Sequence, residues 1–139
     1  MSGGEATTNA DRVREVLRRL GEADFDGTGE LLAERFVQEY PYVPMAGAPD
    51  RIEGVEPFLD FVRPGMTAFE PYRYTVEELF ETTDPAVVIA EYTSHSRLLA
   101  SGAPYSNRYI GVFRFAPDGR LALWREYLNP QVIAEVFGA

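Results

Sequence analysis

The second half of the chain contains four extended runs rich in aromatic and β-branched residues, separated by short groups of turn residues. The runs lie near positions 72–82, 86–99, 106–115 and 121–128. The turns contain Asp84-Pro85, Ser101-Gly102 and Pro117-Asp118-Gly119. Because strands joined by short turns pair antiparallel, the sequence predicts an antiparallel meander.

The first half of the chain has helical periodicity. Apolar residues at helical spacing predict a first helix, and they are Val13, Val16, Leu17 and Leu20. Asn9 is a candidate cap for this helix. After a turn at Asp26-Gly27, Thr28 is predicted to cap a short second helix that carries Leu31 and Leu32. An extended segment, 36–43, then precedes a loop rich in proline and glycine.

The sequence predicts two further helices and the residues at which they begin or end. Gly54 precedes the third helix, Pro57 lies in its first turn, and Pro64-Gly65 is expected to end it. Asn129 is predicted to cap a short C-terminal helix that Pro130 opens. Helices first and strands later indicate an α+β fold, in which N-terminal helices pack on a curved, mostly antiparallel sheet and form a cone.

Composition bounds the domain organisation and the function. The 139 residues, 45% of them hydrophobic, suit one domain over 10–139 after a disordered N-terminal tail over 1–9. No secretory signal and no apolar run of membrane-spanning length is visible, so a cytoplasmic location is expected. The net charge of −9 argues against nucleic acid as a partner.

The residue composition excludes several kinds of metal-binding, catalytic and nucleotide-binding site. The chain has no cysteine and one histidine, so disulfides and thiolate metal sites are excluded and only a carboxylate-rich metal site is conceivable. For the acid–base chemistry described below, no metal or organic cofactor is expected. All thirteen basic residues are arginine, so a lysine Schiff base and a P-loop are excluded as well.

The last hairpin contains the lead chemical residue, Glu126. Pairing across the turn at Pro117-Asp118-Gly119 is expected to set Tyr109 opposite Glu126 and Gly111 opposite Trp124, all on one face. A carboxyl group among large aromatic side chains is costly to desolvate, which raises its pKa toward the range of proton exchange. The alternative is that Glu126 faces solvent or pairs with an arginine.

Three local sequences are distinctive: Glu-Tyr-Pro-Tyr-Val-Pro at 39–44 followed by Arg-Ile-Glu-Gly at 51–54, Ala-Glu-Tyr at 90–92, and Asn-Arg-Tyr-Ile-Gly-Val-Phe-Arg-Phe at 107–115 leading to Arg-Glu-Tyr-Leu-Asn-Pro at 125–130. Together with the order of the elements, they resemble the nuclear transport factor 2-like (NTF2-like) superfamily, and in particular its SnoaL-like, ketosteroid isomerase-like branch. The last of the three sequences is most similar to the phenazine-biosynthesis A/B proteins, and the resemblance implies a general-acid role for Glu126.

The same resemblance indicates which catalytic residues of known family members are absent from this sequence. In ketosteroid isomerase an aspartic acid that helps to hold the enolate oxygen falls at Gly111, and the proton-abstracting aspartate falls near Tyr40. Its first-helix tyrosine falls near Val16 and Leu17. Steroid isomerisation by that mechanism is therefore not expected. The Asp-Arg-Asp set of limonene epoxide hydrolase is not visible either, and epoxide opening would need Glu39 or Glu91 beside Glu126.

The predicted pocket combines the inward faces of neighbouring strands. Tyr92 and Tyr109 are expected to bring phenol groups near Glu126 and to share in catalysis. The remaining candidates for substrate contact are Tyr40, Phe58, Val88, Ser94, Gly111, Phe113 and Trp124. Simple core packing is the alternative for each tyrosine. The residue Ala90 would lie on the same inward face.

His95 is a further catalytic candidate because it is the only side chain whose ordinary pKa lies near neutrality. Strict alternation puts it beside Glu91, Thr93 and Arg97, on the face opposite Tyr92. A single β-bulge would turn it toward the pocket. Otherwise His95 is expected to be a surface or interface residue paired with Glu91.

The outer face of the meander mixes branched apolar residues, arginine and tyrosine, as interface cores with polar rims do. It carries Ile110, Val112, Arg114, Leu123, Arg125 and Tyr127. Together with the family resemblance, this composition predicts a homodimer through the convex sheet face.

Two functions follow from these observations. The first is a cofactor-independent acid–base enzyme of the isomerase, cyclase, dehydratase or condensation type, acting on a small cyclic apolar metabolite, with secondary metabolism as its expected setting. The second is a noncatalytic ligand-binding or scaffold protein that keeps the cone. An apolar cavity with Glu126 at its wall would favour the first, and a cavity filled by Trp124, Phe113 and Tyr40 would favour the second.

Overall fold

The computed structural model describes residues 7–137, which form an α+β fold as predicted. The helices are α1 (Asn9–Gly21), α2 (Phe25–Glu30), α3 (Val55–Thr67) and α4 (Pro130–Phe137). The strands are β1 (Leu32–Glu39), β2 (Arg51–Glu53), β3 (Arg73–Glu81), β4 (Val87–Arg97), β5 (Pro104–Phe115) and β6 (Leu121–Leu128). Most of the predicted N-terminal tail, residues 1–6, lies outside the described part.

The strands form one curved sheet in the order β2-β1-β6-β5-β4-β3. The β3-β4-β5-β6 meander is antiparallel throughout, as predicted, and only the β1–β6 pair is parallel. α1 packs against β3 and β4 through its predicted apolar stripe, all of which is at most 2% exposed. α3 packs against β1 and β2, and α4 against β5. The concave face of the sheet therefore carries the core.

The register of the last hairpin differs from the prediction by two residues. Glu126 pairs with Gly111, and Trp124 pairs with Phe113. The Ala116 N–H donates to the Arg120 carbonyl, so three residues, 117–119, form the loop, and the register shifts between Arg114 and Phe115. A shift of two residues preserves the face of every side chain, so Glu126 still lies on the inner face.

Four predicted helix boundaries were wrong, and three of them belong to α1 and α2. Thr8, not Asn9, caps α1, with its side chain accepting a 3.0 Å hydrogen bond from the Asp11 backbone N–H. α2 begins after Asp24, whose carboxylate accepts from the Gly27 N–H, so Thr28 lies inside it. Leu31 and Leu32 follow that helix instead of lying in it.

The third helix continues through Pro64 to Thr67. Loss of one backbone hydrogen bond at Pro64 is offset because Met66, in the last turn, is buried in the core. The C-terminal helix was predicted correctly: Pro130 opens α4, and Asn129 Oδ1 accepts from the Gln131 N–H at 3.0 Å. None of the described helices is long and apolar enough to cross a membrane.

Candidate active site

A cavity of about 410 Å³ lies between the concave sheet face and the helices α3 and α4. Its walls are mostly apolar and aromatic. The main contributors from the sheet are Tyr40, Tyr72, Tyr74, Tyr105, Tyr109, Trp124, Glu126 and Leu128. Phe58, Phe61, Val62 and Met66 of α3 and Ile133 and Phe137 of α4 complete much of the rest. A cavity of this size and composition suits a small apolar ligand.

Glu126 is the single carboxyl group among the described residues that line this cavity. It is 6% exposed because β6 alternates, which turns Trp124, Glu126 and Leu128 inward. Burial raises the pKa of Glu126 to about 7, and a hydrogen bond from Tyr92 acts in the opposite direction. Glu126 is therefore poised to exchange a proton near neutral pH.

Tyr92 holds the carboxyl group in place. Its hydroxyl donates to Glu126 Oε2 and accepts a 3.1 Å hydrogen bond from the indole N–H of Trp124. Because the indole nitrogen only donates, the Tyr92 proton is directed toward Glu126. Tyr92 is only 1% exposed and lies behind Glu126, so it acts on the carboxyl group as a positioning residue.

Gly111 provides the space for this arrangement. A Cβ atom at Gly111 would lie 2.6 Å from Cε1 of Phe113 and 3.0 Å from the Tyr92 hydroxyl. Both neighbours are buried rings that cannot move freely. The residue opposite Glu126 in the hairpin must therefore lack a side chain for Tyr92 to reach the carboxyl group.

A second polar group, which we term the hydroxyl cluster, consists of the side-chain hydroxyls of Tyr72, Ser94, Tyr105 and Tyr109. Tyr109 is its centre, with oxygen–oxygen distances of 2.7 Å to Ser94 and 3.2 Å to Tyr72 and Tyr105. Asn107 Nδ2 donates to the Tyr105 hydroxyl at 2.9 Å. Burial raises the pKa of all three tyrosines, so they stay protonated and able to donate.

The structure brings together five of the predicted site residues at the cavity wall: Glu126, Tyr109, Tyr40, Phe58 and Trp124. Of the others, Tyr92, Ser94, Gly111, Val88 and Phe113 lie behind this wall or in the adjoining core, and His95 lies on the outer face of the sheet.

Tyr92 and Ser94 lie one step behind the wall, bonded to Glu126 and Tyr109 respectively. Gly111 borders Tyr92, while Val88 and Phe113 belong to the main core and do not line the cavity. Tyr109 does not contact Glu126 by a hydrogen bond. Instead its ring stacks on that of Tyr92, with centroids 5.0 Å apart.

His95 does not reach the cavity. It is exposed on the outer sheet face, and its Nδ1 lies 3.1 Å from Ser106 Oγ, so the expected pairing with Glu91 is absent as well. The pairing of β4 with β5 is continuous past His95, and the irregularity in this part of the sheet lies in β3, between Val76 and Glu78. Without a bulge in β4, alternation keeps His95 outside.

Several residues of the wall were missed from the sequence. Tyr105 was excluded because the third run of the meander was predicted to start at 106, whereas β5 begins at Pro104. Tyr72 and Tyr74 show the period-two spacing of an inward face, which was the available signal. The contributions of α3 and α4 depend on how the sheet curves over them, which local patterns do not specify.

The described residues contain no group of three or more acidic or histidine side chains that could hold a metal ion. The nearest candidates for a second acid are also absent from the cavity. Glu39 is bound by Arg51 and Arg125, each at 2.9 Å, and Glu91 is exposed.

A curved six-stranded sheet that encloses an apolar cavity with helices on its concave side defines the NTF2-like class of α+β proteins. Sequence comparison agrees, since the SnoaL-like domain matches residues 13–124. The chain belongs to the SnoaL-like domain family.

Three similar proteins illustrate this membership. An uncharacterised PhzA/B-like protein of Pseudomonas aeruginosa, PA3332, is 32% identical over 122 residues, covering 88% of this chain and 84% of that protein. A crystal structure of a Bacillus subtilis protein has a TM-score of 0.84 at 31% identity, covering 94% of this chain and 92% of its own. Rv0760c of Mycobacterium tuberculosis, in complex with estradiol-17beta-hemisuccinate, has a TM-score of 0.77 at 21% identity, covering 91% and 98%.

Proposed function

We propose that this protein is a small acid–base enzyme of the isomerase, cyclase, dehydratase or condensation type, acting on a small cyclic apolar metabolite with Glu126 as general acid or base. One observation supports this most directly. A single carboxyl group with a pKa of about 7 lines an apolar cavity of about 410 Å³. An acid whose pKa is near the working pH is effective both in taking and in returning a proton.

The surroundings of Glu126 support the same function. Tyr92, itself bonded by Trp124, fixes the carboxyl group. Glu126 is 6% exposed in a mostly apolar wall, which limits competition from water for the proton. Rv0760c, which shares the fold, was crystallised in complex with the steroid derivative estradiol-17beta-hemisuccinate. The SnoaL-like family membership is consistent with cyclase and isomerase chemistry. A cytoplasmic location and a secondary-metabolic setting remain predictions.

Replacing Glu126 by glutamine tests the proposal. A native ligand is first identified by mass spectrometry of small molecules that co-purify with the protein, and its turnover is then measured. Glu126→Gln keeps the size of the side chain and an acceptor for the Tyr92 hydroxyl, but it cannot exchange a proton. Turnover is expected to be lost while ligand binding is retained.

Glu91→Gln is the matched control, because it removes an exposed carboxyl group from the opposite face of the sheet. It is expected to turn over at the wild-type rate. A fully active Glu126→Gln variant would refute the role of Glu126. Binding of the ligand without turnover in the wild type as well would favour a noncatalytic binding protein.

We also propose a homodimer through the convex sheet face. Ile110 is 42% exposed there, beside Tyr127 and the 63% exposed Tyr42, whose ring lies 6.2 Å from that of Tyr127. Apolar side chains in such a patch are favourable to bury. Sedimentation velocity at micromolar concentration is expected to show a dimer, and a monomer alone would contradict it.

Ile110→Glu introduces a charge at the centre of this face and is expected to shift the protein toward monomer. Leu99→Glu is the control, because Leu99 is also exposed but lies in the β4–β5 turn. It should sediment as the wild type does.

A further inference from the structure

The mouth of the cavity lies where residues of its wall are also exposed to solvent. Met45, Gly65 and Phe137 meet both conditions. They belong to three separate parts of the chain, namely the loop after β1, the last turns of α3 and the end of α4. Met45 is 48% exposed and Phe137 is 51% exposed. Large apolar side chains therefore project into solvent at the edge of the opening.

A fourth segment, the β4–β5 turn, borders the same mouth. The Leu99 N–H donates a 2.9 Å hydrogen bond to the carbonyl of Ala68, which lines the cavity. Phe69, next to Ala68, packs on Phe137 with ring centroids 5.8 Å apart. These contacts bring Leu99, which is 60% exposed, to the same end of the molecule as Phe137. We term Met45, Leu99 and Phe137 the apolar rim.

The apolar rim holds three of the six large apolar side chains that are exposed among residues 7–137. Of the other three, Tyr42 and Ile110 lie on the convex face, where the proposed dimer would bury them. Phe80 lies apart from both, on β3. Exposed apolar side chains gathered round one opening, instead of scattered singly, are typical of an interaction surface.

The segments around the mouth carry almost no charge, although charged residues make up 25% of the chain. None occurs in the three segments that contribute Met45, Gly65 and Leu99, which are 41–49, 64–69 and 98–103. α4 contains one, Glu135, two positions away from both Ile133 and Phe137. Because these two residues line the cavity, Glu135 lies on the other side of the helix.

An uncharged lipid surface matches this end of the molecule. An anionic surface would repel a chain with a net charge of −9, and the uncharged segments offer no arginine to hold it. A protein that covered the apolar rim would also close the opening that the rim surrounds. Phosphatidylcholine headgroups carry no net charge, and the acyl boundary beneath them accepts side chains such as Met, Leu and Phe.

We propose that the apolar rim docks this protein reversibly on the surface of a neutral phospholipid bilayer, with the mouth of the cavity facing the lipid. An apolar ligand then passes between the bilayer and the cavity without dissolving in water. Each rim side chain is already about half buried in the protein, so the further area that it buries is small and the binding is weak and reversible. Docking does not depend on Glu126, so it goes beyond the proposed function.

Flotation with phosphatidylcholine vesicles measures the docking. Wild-type protein is expected to float with the vesicles, and less of it should float when phosphatidylglycerol replaces part of the phosphatidylcholine, because like charges repel. The single variants Met45→Glu, Leu99→Glu and Phe137→Glu should each bind about tenfold more weakly. Burying the exposed half of a large apolar side chain contributes roughly that factor to a binding constant.

Phe80→Glu is the matched control, because it makes the same exchange at an apolar side chain that is 40% exposed but lies outside the apolar rim. Phe80 pairs with Ile89, near the start of β4, whereas the mouth lies beyond the end of that strand. This variant should float as the wild type does.

The transfer of a neutral fluorescent probe, N-phenyl-1-naphthylamine, from loaded protein to phosphatidylcholine vesicles adds a second readout. Transfer during docking becomes faster as the vesicle concentration rises, whereas transfer through water has a rate that does not depend on it. The wild-type rate is expected to rise with vesicle concentration, and the rate for Phe137→Glu should rise less steeply.

Docking would be overturned if the wild type does not float, if the rim variants float equally well, if binding requires phosphatidylglycerol, or if the transfer rate is constant. Wild-type assemblies larger than a dimer that dissociate in the rim variants would assign the apolar rim to a second copy of the chain instead. Glu126→Gln separates docking from catalysis, since it is expected to float as the wild type does. A fully active Glu126→Gln variant that still floats would refute the catalytic role alone.

Discussion

Glu126→Gln is expected to become progressively more stable than the wild type as the pH rises from about 4.5 to above 7. The folded-state pKa of Glu126 is raised to about 7 from an ordinary value of 4.5. Below both values the carboxyl group is protonated in the folded and the unfolded chain and has no effect on the difference. Between them only the unfolded chain ionises, which favours unfolding.

The size of the effect follows from the same two values. A separation of roughly two to three pKa units corresponds to about 3 kcal/mol, which is reached above the folded-state pKa and stays constant at higher pH. Glutamine does not ionise, so the free energy of unfolding of the variant is not lowered in this way as the pH rises. Urea unfolding at several pH values between 4 and 9 measures the difference between the two proteins.

The difference between the two proteins isolates Glu126, because the other acids titrate in both. Glu91→Gln provides the background for removing one exposed carboxyl group. Tyr92→Phe adds a further check, since it removes the hydrogen bond that opposes the rise in the pKa of Glu126. In Tyr92→Phe, the loss of stability caused by Glu126 should therefore continue to a higher pH than in the wild type. A constant difference between wild type and Glu126→Gln across this range would contradict the burial of an ionisable acid.

The fold of this chain was predictable from local signals, and the reasons are physical. Turn residues at Asp84-Pro85 and Ser101-Gly102 delimit the strands, and the apolar stripe from Val13 to Leu20 defines α1. The inward orientation of Glu126 was predicted from alternation, which gives it the face of Trp124 and Leu128, together with the family resemblance. It survived a wrong register, because a shift of two residues does not change the face.

What could not be predicted depends on contacts distant in the sequence. The extension of α3 past Pro64 depends on burial of Met66, which a local rule for proline does not contain. The position of His95 depended on whether β4 has a bulge, and the irregularity lies in β3. The hydroxyl cluster joins Tyr72, which immediately precedes β3, with Ser94 of β4 and Tyr109 of β5. Its existence therefore depends on how segments distant in the sequence come together.

Gly111→Ala is expected to destabilise the protein by about 1–3 kcal/mol, the usual cost of forcing a methyl group into a packed core. In a strand, alanine would otherwise be favourable relative to glycine. Here the added Cβ would lie 2.6 Å from Phe113 Cε1 and 3.0 Å from the Tyr92 hydroxyl. One of the two rings must move, and both are at most 1% exposed.

The functional consequence of Gly111→Ala follows from the second contact. Displacement of the Tyr92 hydroxyl weakens its bond to Glu126, so the pH-dependent loss of stability should move to higher pH, as is expected for Tyr92→Phe. Gly65→Ala is the control: Gly65 lies in α3, and a Cβ there would meet no atom within 4 Å. That variant is expected to be as stable as the wild type or up to about 1 kcal/mol more stable. If Gly111→Ala unfolds at the same urea concentration as the wild type, the prediction is wrong. The hairpin would then have room for a side chain opposite Glu126, and the hydrogen bond from Tyr92 to Glu126 would not require glycine at position 111.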